Sequence, residues 1–255
     1  IEFYYANMNS PKSSVITDLD QQLELFIPLF TNGADQLVIE LRALVVPQRY
    51  GGPATEAGFF EITSQNGRTA FCREVQRLVA LPPEQSAEGV YVTINPVNPA
   101  LLARANNRLK VLKDKKPVSA TDKDIIGRRW LPIDIDPVRP SGISATETEK
   151  ATARNFIDGV RKDLRGRGWP DPLLVDSGNG FHLWYRIDFP TDDNGVVERA
   201  IKALAARHDT PNAKLDTSVF NPSRIMKLPG TWARKGDSLP DRPHRMSRVL
   251  EVPTQ

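Results

Sequence analysis

Apolar residues recur at helical spacing between Ile16 and Phe30 (Leu19, Leu23, Phe26, Phe30), which predicts an amphipathic helix behind an irregular tail at residues 1–15. Gln36 to Val46 is rich in Val, Ile and Leu and reads as a strand. Gly51-Gly52-Pro53 breaks it, and Gly58 to Thr63 resumes as a second strand. Arg68 to Leu81 returns to helical spacing through Phe71, Val75, Leu78 and Val79. A third strand at Gly89–Ile94 and a short helix at Ala100–Leu109 complete a first α/β module, residues 1–109. Residues 110–127 hold five lysines and Pro117 and read as a basic linker.

Beyond the linker the pattern is denser. Arg129 to Asp136 is a strand. Ser144-Ala-Thr-Glu147 has the spacing of a capping box and opens a helix carrying Ala153, Phe156, Ile157, Val160 and Leu164 on one face. Leu173–Asp176 and Phe181–Ile187 are strands joined by the tight turn Ser177-Gly-Asn-Gly180. A second helix spans Val196–Arg207, and a last short strand Leu215–Phe220. The fold class is therefore α+β: an RRM/ferredoxin-like β-α-β-β-α-β module, residues 128–255, packed against the smaller N-terminal α/β module.

That topology gives the polar residues their interest. In Leu131-Pro-Ile-Asp-Ile-Asp-Pro137 the aspartates alternate with isoleucines, so Asp134 and Asp136 share one face of a strand and Ile133 and Ile135 the other. Two like charges at a strand end are either solvated or held together by a cation, and hard divalent ions favour oxygen donors. In a β-α-β-β-α-β unit the end of the first strand lies beside the starts of the third and fourth. His182 and Asp216 would then join the pair at one sheet edge, and a cluster of that kind suits two-metal phosphoryl or nucleotidyl transfer.

Two further stretches fit an anionic substrate. Small residues in Ser177-Gly178-Asn179-Gly180 let backbone N–H groups approach a phosphate, although the same turn also serves as a plain hairpin. Arg224 and Lys227 are three apart on what reads as one helical turn and would share a face, with Trp232, Arg234 and Lys235 continuing the basic character. A solvated basic face is the alternative.

Charge sharpens this division. The net charge is +3, but residues 1–99 hold 6 Lys and Arg against 11 Asp and Glu, leaving 28 against 20 for the remainder. A basic remainder suggests a polyanionic partner, with Lys113, Lys115, Lys116, Arg234 and Lys235 as candidate DNA contacts. The single cysteine, Cys72, excludes an internal disulfide and a cysteine-based zinc site. No apolar run approaches a membrane span and no signal-peptide layout opens the chain, so a cytoplasmic setting is expected.

Taken in order, Asp134-Ile-Asp136, Ser177-Gly-Asn-Gly-Phe-His182, Leu215-Asp216, Asn221-Pro-Ser-Arg224 and Lys227-Leu-Pro-Gly-Thr231 resemble the archaeo-eukaryotic primase superfamily. The likeness is narrowest to the primase-polymerase (prim-pol) domains of phages and plasmids and runs from about Gly89 to Gly236. The resemblance implies Asp134, Asp136 and Asp216 as catalytic, metal-binding carboxylates for two Mg2+ or Mn2+ ions. It implies Ser177, Gly178, Asn179, Gly180, His182, Arg224 and Lys227 as contacts to a dNTP or NTP. It further implies DNA primase or polymerase activity on single-stranded DNA template and primer, with a helicase as a partner. The rivals are a non-catalytic single-strand-binding replication-initiator module and a metal-dependent nuclease.

Overall fold

The computed structural model describes residues 19–48, 52–112 and 119–253. The tail expected at residues 1–15 and the linker lysines Lys113, Lys115 and Lys116 lie outside the described residues. In chain order the elements are α1 (Leu19–Thr31), β1 (Val38–Val46), β2 (Ala54–Glu61), α2 (Gln65–Ala80), β3 (Gly89–Thr93) and β4 (Lys110–Val111). There follow β5 (Arg128–Pro137), α3 (Glu147–Gly166), β6 (Leu173–Asp176), β7 (Phe181–Phe189), α4 (Val196–His208) and β8 (Ala213–Leu215). The chain closes with β9 (Ile225–Lys227), β10 (Trp232–Ala233), β11 (Arg245–Met246) and β12 (Arg248–Glu251).

The described residues form two five-stranded sheets, in the orders β4-β2-β1-β3-β9 and β12-β6-β7-β5-β8, and β10 and β11 form a separate ribbon. Every strand pair is antiparallel. The first sheet is completed from the far end of the chain, because β9 pairs with β3 through Tyr91↔Lys227 and Val92↔Met226.

The alternation along β5 decides where the site falls. Ile133 and Ile135 are fully buried among Ala153, Ile157 and Val160 of α3 and Val197 and Ile201 of α4. Trp130 belongs to the opposite face, in a second core shared with Phe26 and Phe30 of α1, Leu41 of β1, Val92 of β3 and Trp184 of β7. Four of those rings interlock, with Phe30 centred 5.5 Å from Trp130 and 5.9 Å from Trp184. Losing one such buried ring costs about 3–5 kcal/mol. By the two-residue period, Asp134 and Asp136 continue the Trp130 face. The aromatic core therefore runs up β5 and β7 and gives way to carboxylates at the strand ends.

Around the site the structure departs from the expected local pattern in three places. The capping box of α3 is Thr146 with Glu149, two residues later than expected: Thr146 Oγ1 accepts from the Glu149 N–H at 3.1 Å and Glu149 Oε2 from the Thr146 N–H at 2.8 Å. Ser144 is buried instead, its hydroxyl donating to the Lys235 carbonyl at 3.2 Å. The strand expected over 215–220 ends at Leu215, since the Asp216 carboxylate accepts the Ser218 N–H at 2.8 Å and turns the chain. The helical turn expected at 224–227 is strand β9, which buries Met226 against the first sheet.

Candidate active site

At the mouth of β5 the register pairs Asp134 with His182 and Ile135 with Phe181. His182 Nε2 lies 3.3 Å from Asp134 Oδ1, with the imidazole buried and the Asp134 side chain 23% exposed. The other imidazole nitrogen, Nδ1, is buried without a hydrogen-bond partner among the described residues. Asp136 is more open, 47% exposed, and its one ion pair among the described residues is to Arg139 at 3.4 Å. Burial pushes the Asp134 carboxyl up, but His182, Lys235 and Arg224 outweigh it and the net displacement is below the ordinary carboxylate value. Burial and the neighbouring Asp134 charge push Asp136 the other way, above it.

The turn 177–180 closes on itself and lies directly behind this pair. Ser177 N–H donates to the Gly180 carbonyl and Gly180 N–H to Ser177 Oγ, each at 3.0 Å. Gly178 N–H donates to Asp176 Oδ1 at 2.8 Å, and that buried carboxylate also pairs with Lys150 at 2.8 Å. Asn179 Oδ1 accepts the Ala145 N–H at 2.8 Å and so ties the turn to the start of α3. A Cβ on Gly180 would run into the Ile135 carbonyl and sit 2.6 Å from Asp136 Oδ1. Glycine is what allows the turn to approach the carboxylates this closely.

The facing wall comes from the first sheet and the ribbon. Lys227 of β9 is buried, stands 5.2 Å from the Tyr91 ring centre and donates to the Trp232 carbonyl. Burial, reinforced by Arg234 and Lys235, lowers its pKa to about 7. Burial and the charges of Asp134, Glu88 and Asp136 raise Tyr91 to about 12. These groups line a cleft with Asp134, Asp136 and His182 on one side and Lys227, Arg234 and Lys235 on the other.

Of the residues singled out in the sequence, Asp134, Asp136, Ser177, Asn179, His182, Lys227, Arg234 and Lys235 all line this cleft. Gly178 and Gly180 form the turn behind it. Arg224 stands at its edge, donating to the carbonyl and hydroxyl of Ser218 while still acting on the Asp134 charge. Asp216 is joined to Asp134 through the backbone, its N–H donating to the Asp134 carbonyl at 2.8 Å, but its exposed carboxylate caps Ser218 and does not line the cleft. Among the described residues no group of three or more His, Cys, Asp or Glu is gathered to hold a metal ion. Sequence reasoning missed Tyr91 and Glu88. The signal for Tyr91 was present: it alternates with Val90 and Val92, which enter the core, so its ring must face elsewhere.

The donor chemistry at the β5 mouth fits a hard divalent cation, since two adjacent carboxylates of opposite pKa displacement carry between them one long arginine contact and one histidine. Among the described residues no helix is long and apolar enough to cross a membrane.

Neither a protein-family model nor a curated protein matches the chain. Among solved structures the chain is similar to the crystal structure of primase RepB', at 10% identity and a TM-score of 0.46, over 90% of this chain and 56% of that one. It is also similar to the polymerase domain of Mycobacterium tuberculosis Ligase D in complex with DNA, at 15% identity and a TM-score of 0.40, over 90% of this chain and 81% of that one. The chain thus spans little more than half the length of the first of these.

Proposed function

We propose that this chain is a template-dependent nucleotidyltransferase, a DNA primase or polymerase acting on single-stranded DNA. The observation that carries this reading is the charge layout of the cleft. Asp134 and Asp136 face Lys227, Arg234 and Lys235, none of which has a carboxylate partner among the described residues. A nucleoside triphosphate with its divalent ions complements both walls: cations for the carboxylates, phosphates for the lysines and arginine. The β6-β7-β5-β8 strand order, with α3 and α4 on one face, supports reading the second sheet as the ferredoxin-like unit of a prim-pol domain.

In this reading a primer 3′-hydroxyl attacks the α-phosphorus in line, its bond to phosphorus forms as the bond to pyrophosphate breaks, and the hydroxyl proton passes to solvent. Magnesium or manganese held by Asp134 and Asp136 would supply Lewis-acid activation and charge neutralisation there. Lys227, Arg234 and Lys235 bind the triphosphate and offset the charge that grows on the departing pyrophosphate. His182 orients Asp134 through Nε2 and keeps it ionised. The Ser177–Gly180 turn holds Asp136 in place by packing against it.

The test gives the protein a primed and an unprimed single-stranded template, labelled dNTPs or NTPs, and magnesium or manganese. Elongated products from the wild type, absent from Asp134→Asn, are expected. Strand binding that needs no divalent ion, with no incorporation on either template, would instead establish a non-catalytic binding module.

A further inference from the structure

On the other side of the Ser177–Gly180 turn lies a second pocket, which shares no lining residue with the cleft. Lys150, Asp176, Arg245 and Arg248 line it together with the apolar side chains of Trp232 and Met246. Two of its cations are already answered. Lys150 pairs with the buried Asp176 at 2.8 Å, and Arg245 with Glu147 at 2.6 Å.

Arg248 is the exception. Among the described residues its nearest carboxylate is Asp176, with Nε at 3.6 Å, beyond hydrogen-bond reach, and Nε is buried with no hydrogen-bond partner. Asp176 is meanwhile filled by Lys150 and the Gly178 N–H. The Arg248 side chain as a whole is 38% exposed and lines the pocket. An arginine with no filled side-chain hydrogen bond among the described residues, beside an indole and a thioether, offers a planar fork for a phosphate next to an apolar surface for a base or sugar.

We propose that the Arg248 pocket is a second phosphate-binding site, which takes a backbone phosphate of a single-stranded nucleic acid with the adjoining nucleoside against Trp232 and Met246. The phosphate is gripped by Arg248, while Lys150 stays with Asp176. Because Asp176 holds both Lys150 and the Gly178 N–H, the pocket and the cleft are built on the two sides of one turn. The choice of a nucleic-acid strand rests on the function proposed above; the phosphate chemistry does not.

The experiment measures binding alone, with the full chain in EDTA, so that its failure is distinct from a failure of catalysis. A labelled single-stranded oligodeoxynucleotide is titrated against wild type, Arg248→Gln and Arg248→Lys at several salt concentrations. Loss of one phosphate contact is expected to weaken R248Q by roughly three- to tenfold and to lower the salt slope by about 0.7. R248K should keep the slope and lose only part of the affinity. Incorporation at saturating DNA should be unchanged in both. R248Q binding the strand as tightly as wild type, with the same slope, overturns the site. If R248Q melts well below wild type, R248K carries the test, and unchanged affinity in it overturns the bidentate grip. Inorganic phosphate and a free dNTP serve as competitors. If either fills the pocket at lower concentration than the strand displaces it, the site belongs to a free anion and the strand assignment falls.

Discussion

Asp134 and His182 are register partners on β5 and β7, and His182 Nε2 meets Asp134 Oδ1 at 3.3 Å from within the sheet. The histidine is thus fixed before any ligand arrives, and it acts on the carboxylate that stands deepest in the cleft.

The first prediction follows from that pairing. His182 helps to hold the Asp134 carboxyl below its ordinary value, so removing the imidazole lets burial raise it. A carboxylate of higher pKa is protonated at higher pH. In His182→Gln the acid limb of the incorporation profile should therefore move upward, with a loss that is larger at acid pH and shrinks as pH rises. Initial rates across a pH series measure it. A uniform loss at every pH would assign His182 to packing or to direct phosphate contact instead.

A second prediction concerns Gly180. An added methyl meets the Ile135 carbonyl and Asp136 Oδ1, both of them in the strand that carries the site. Gly180→Ala should destabilise by about 1–3 kcal/mol and reduce incorporation further than its stability loss explains, because Asp136 must shift. Gly159, inside α3 with open space around the position its Cβ would take, is the control. Gly159→Ala should be neutral or stabilise by up to about 1 kcal/mol. Denaturant melts of both variants decide the comparison.

These glycines also mark how far the sequence is legible. The β5 strand, the 177–180 turn and β6 are readable because alternation and turn chemistry are local, and Leu173–Asp176 is a strand by pattern and in the fold alike. Lys227 is different. Ile225-Met-Lys-Leu228 is too short for its period to distinguish helix from strand, and what settles it is pairing with β3, more than 130 residues earlier. Even so, Lys227 reaches the cleft, by standing opposite Tyr91 rather than by sharing a helical face with Arg224. Asp216 fails in the other direction. Its backbone position beside Asp134 follows from topology, but its carboxylate is claimed by a local Asx turn that outcompetes a longer strand.

Lys227 gives a third prediction. Its pKa of about 7 in the fold, against 10.5 in its ordinary state, means that between those values the unfolded chain binds a proton the native chain lacks. Stability contributed by this site accordingly rises with pH from about 7 to 10.5, and below 7 the full cost of burying the ammonium is present. Lys227→Met should be most stabilised relative to wild type near pH 6, by a few kcal/mol, with the advantage fading as pH rises. Triphosphate binding should run the opposite way, since the ammonium is what attracts it. Nucleotide affinity should fall above pH 7 in the wild type, with proton uptake on binding, and become flat in K227M. Calorimetry in two buffers of different ionisation enthalpy reads the proton directly, and an identical heat in both would remove Lys227 from the phosphate site.

The last prediction separates the carboxylate pair from Asp216. If Asp134 and Asp136 hold a divalent ion, manganese at about 100 times its dissociation constant should stabilise the wild type by about 2.7 kcal/mol. For a chain of this size that is a rise in melting temperature of about 5–10 °C over the EDTA value. Asp136→Asn should abolish the rise. Asp216→Asn is the informative variant, because an asparagine Oδ1 can still accept the Ser218 N–H and the turn after β8 should survive. Its melting temperature in EDTA should therefore match wild type. A smaller manganese shift in D216N would mean that the Asp216 carboxylate leaves its cap to join the ion, drawn in by the backbone bond that already sets it beside Asp134. A shift equal to wild type would confine the metal to β5 and leave Asp216 as the residue that ends a strand.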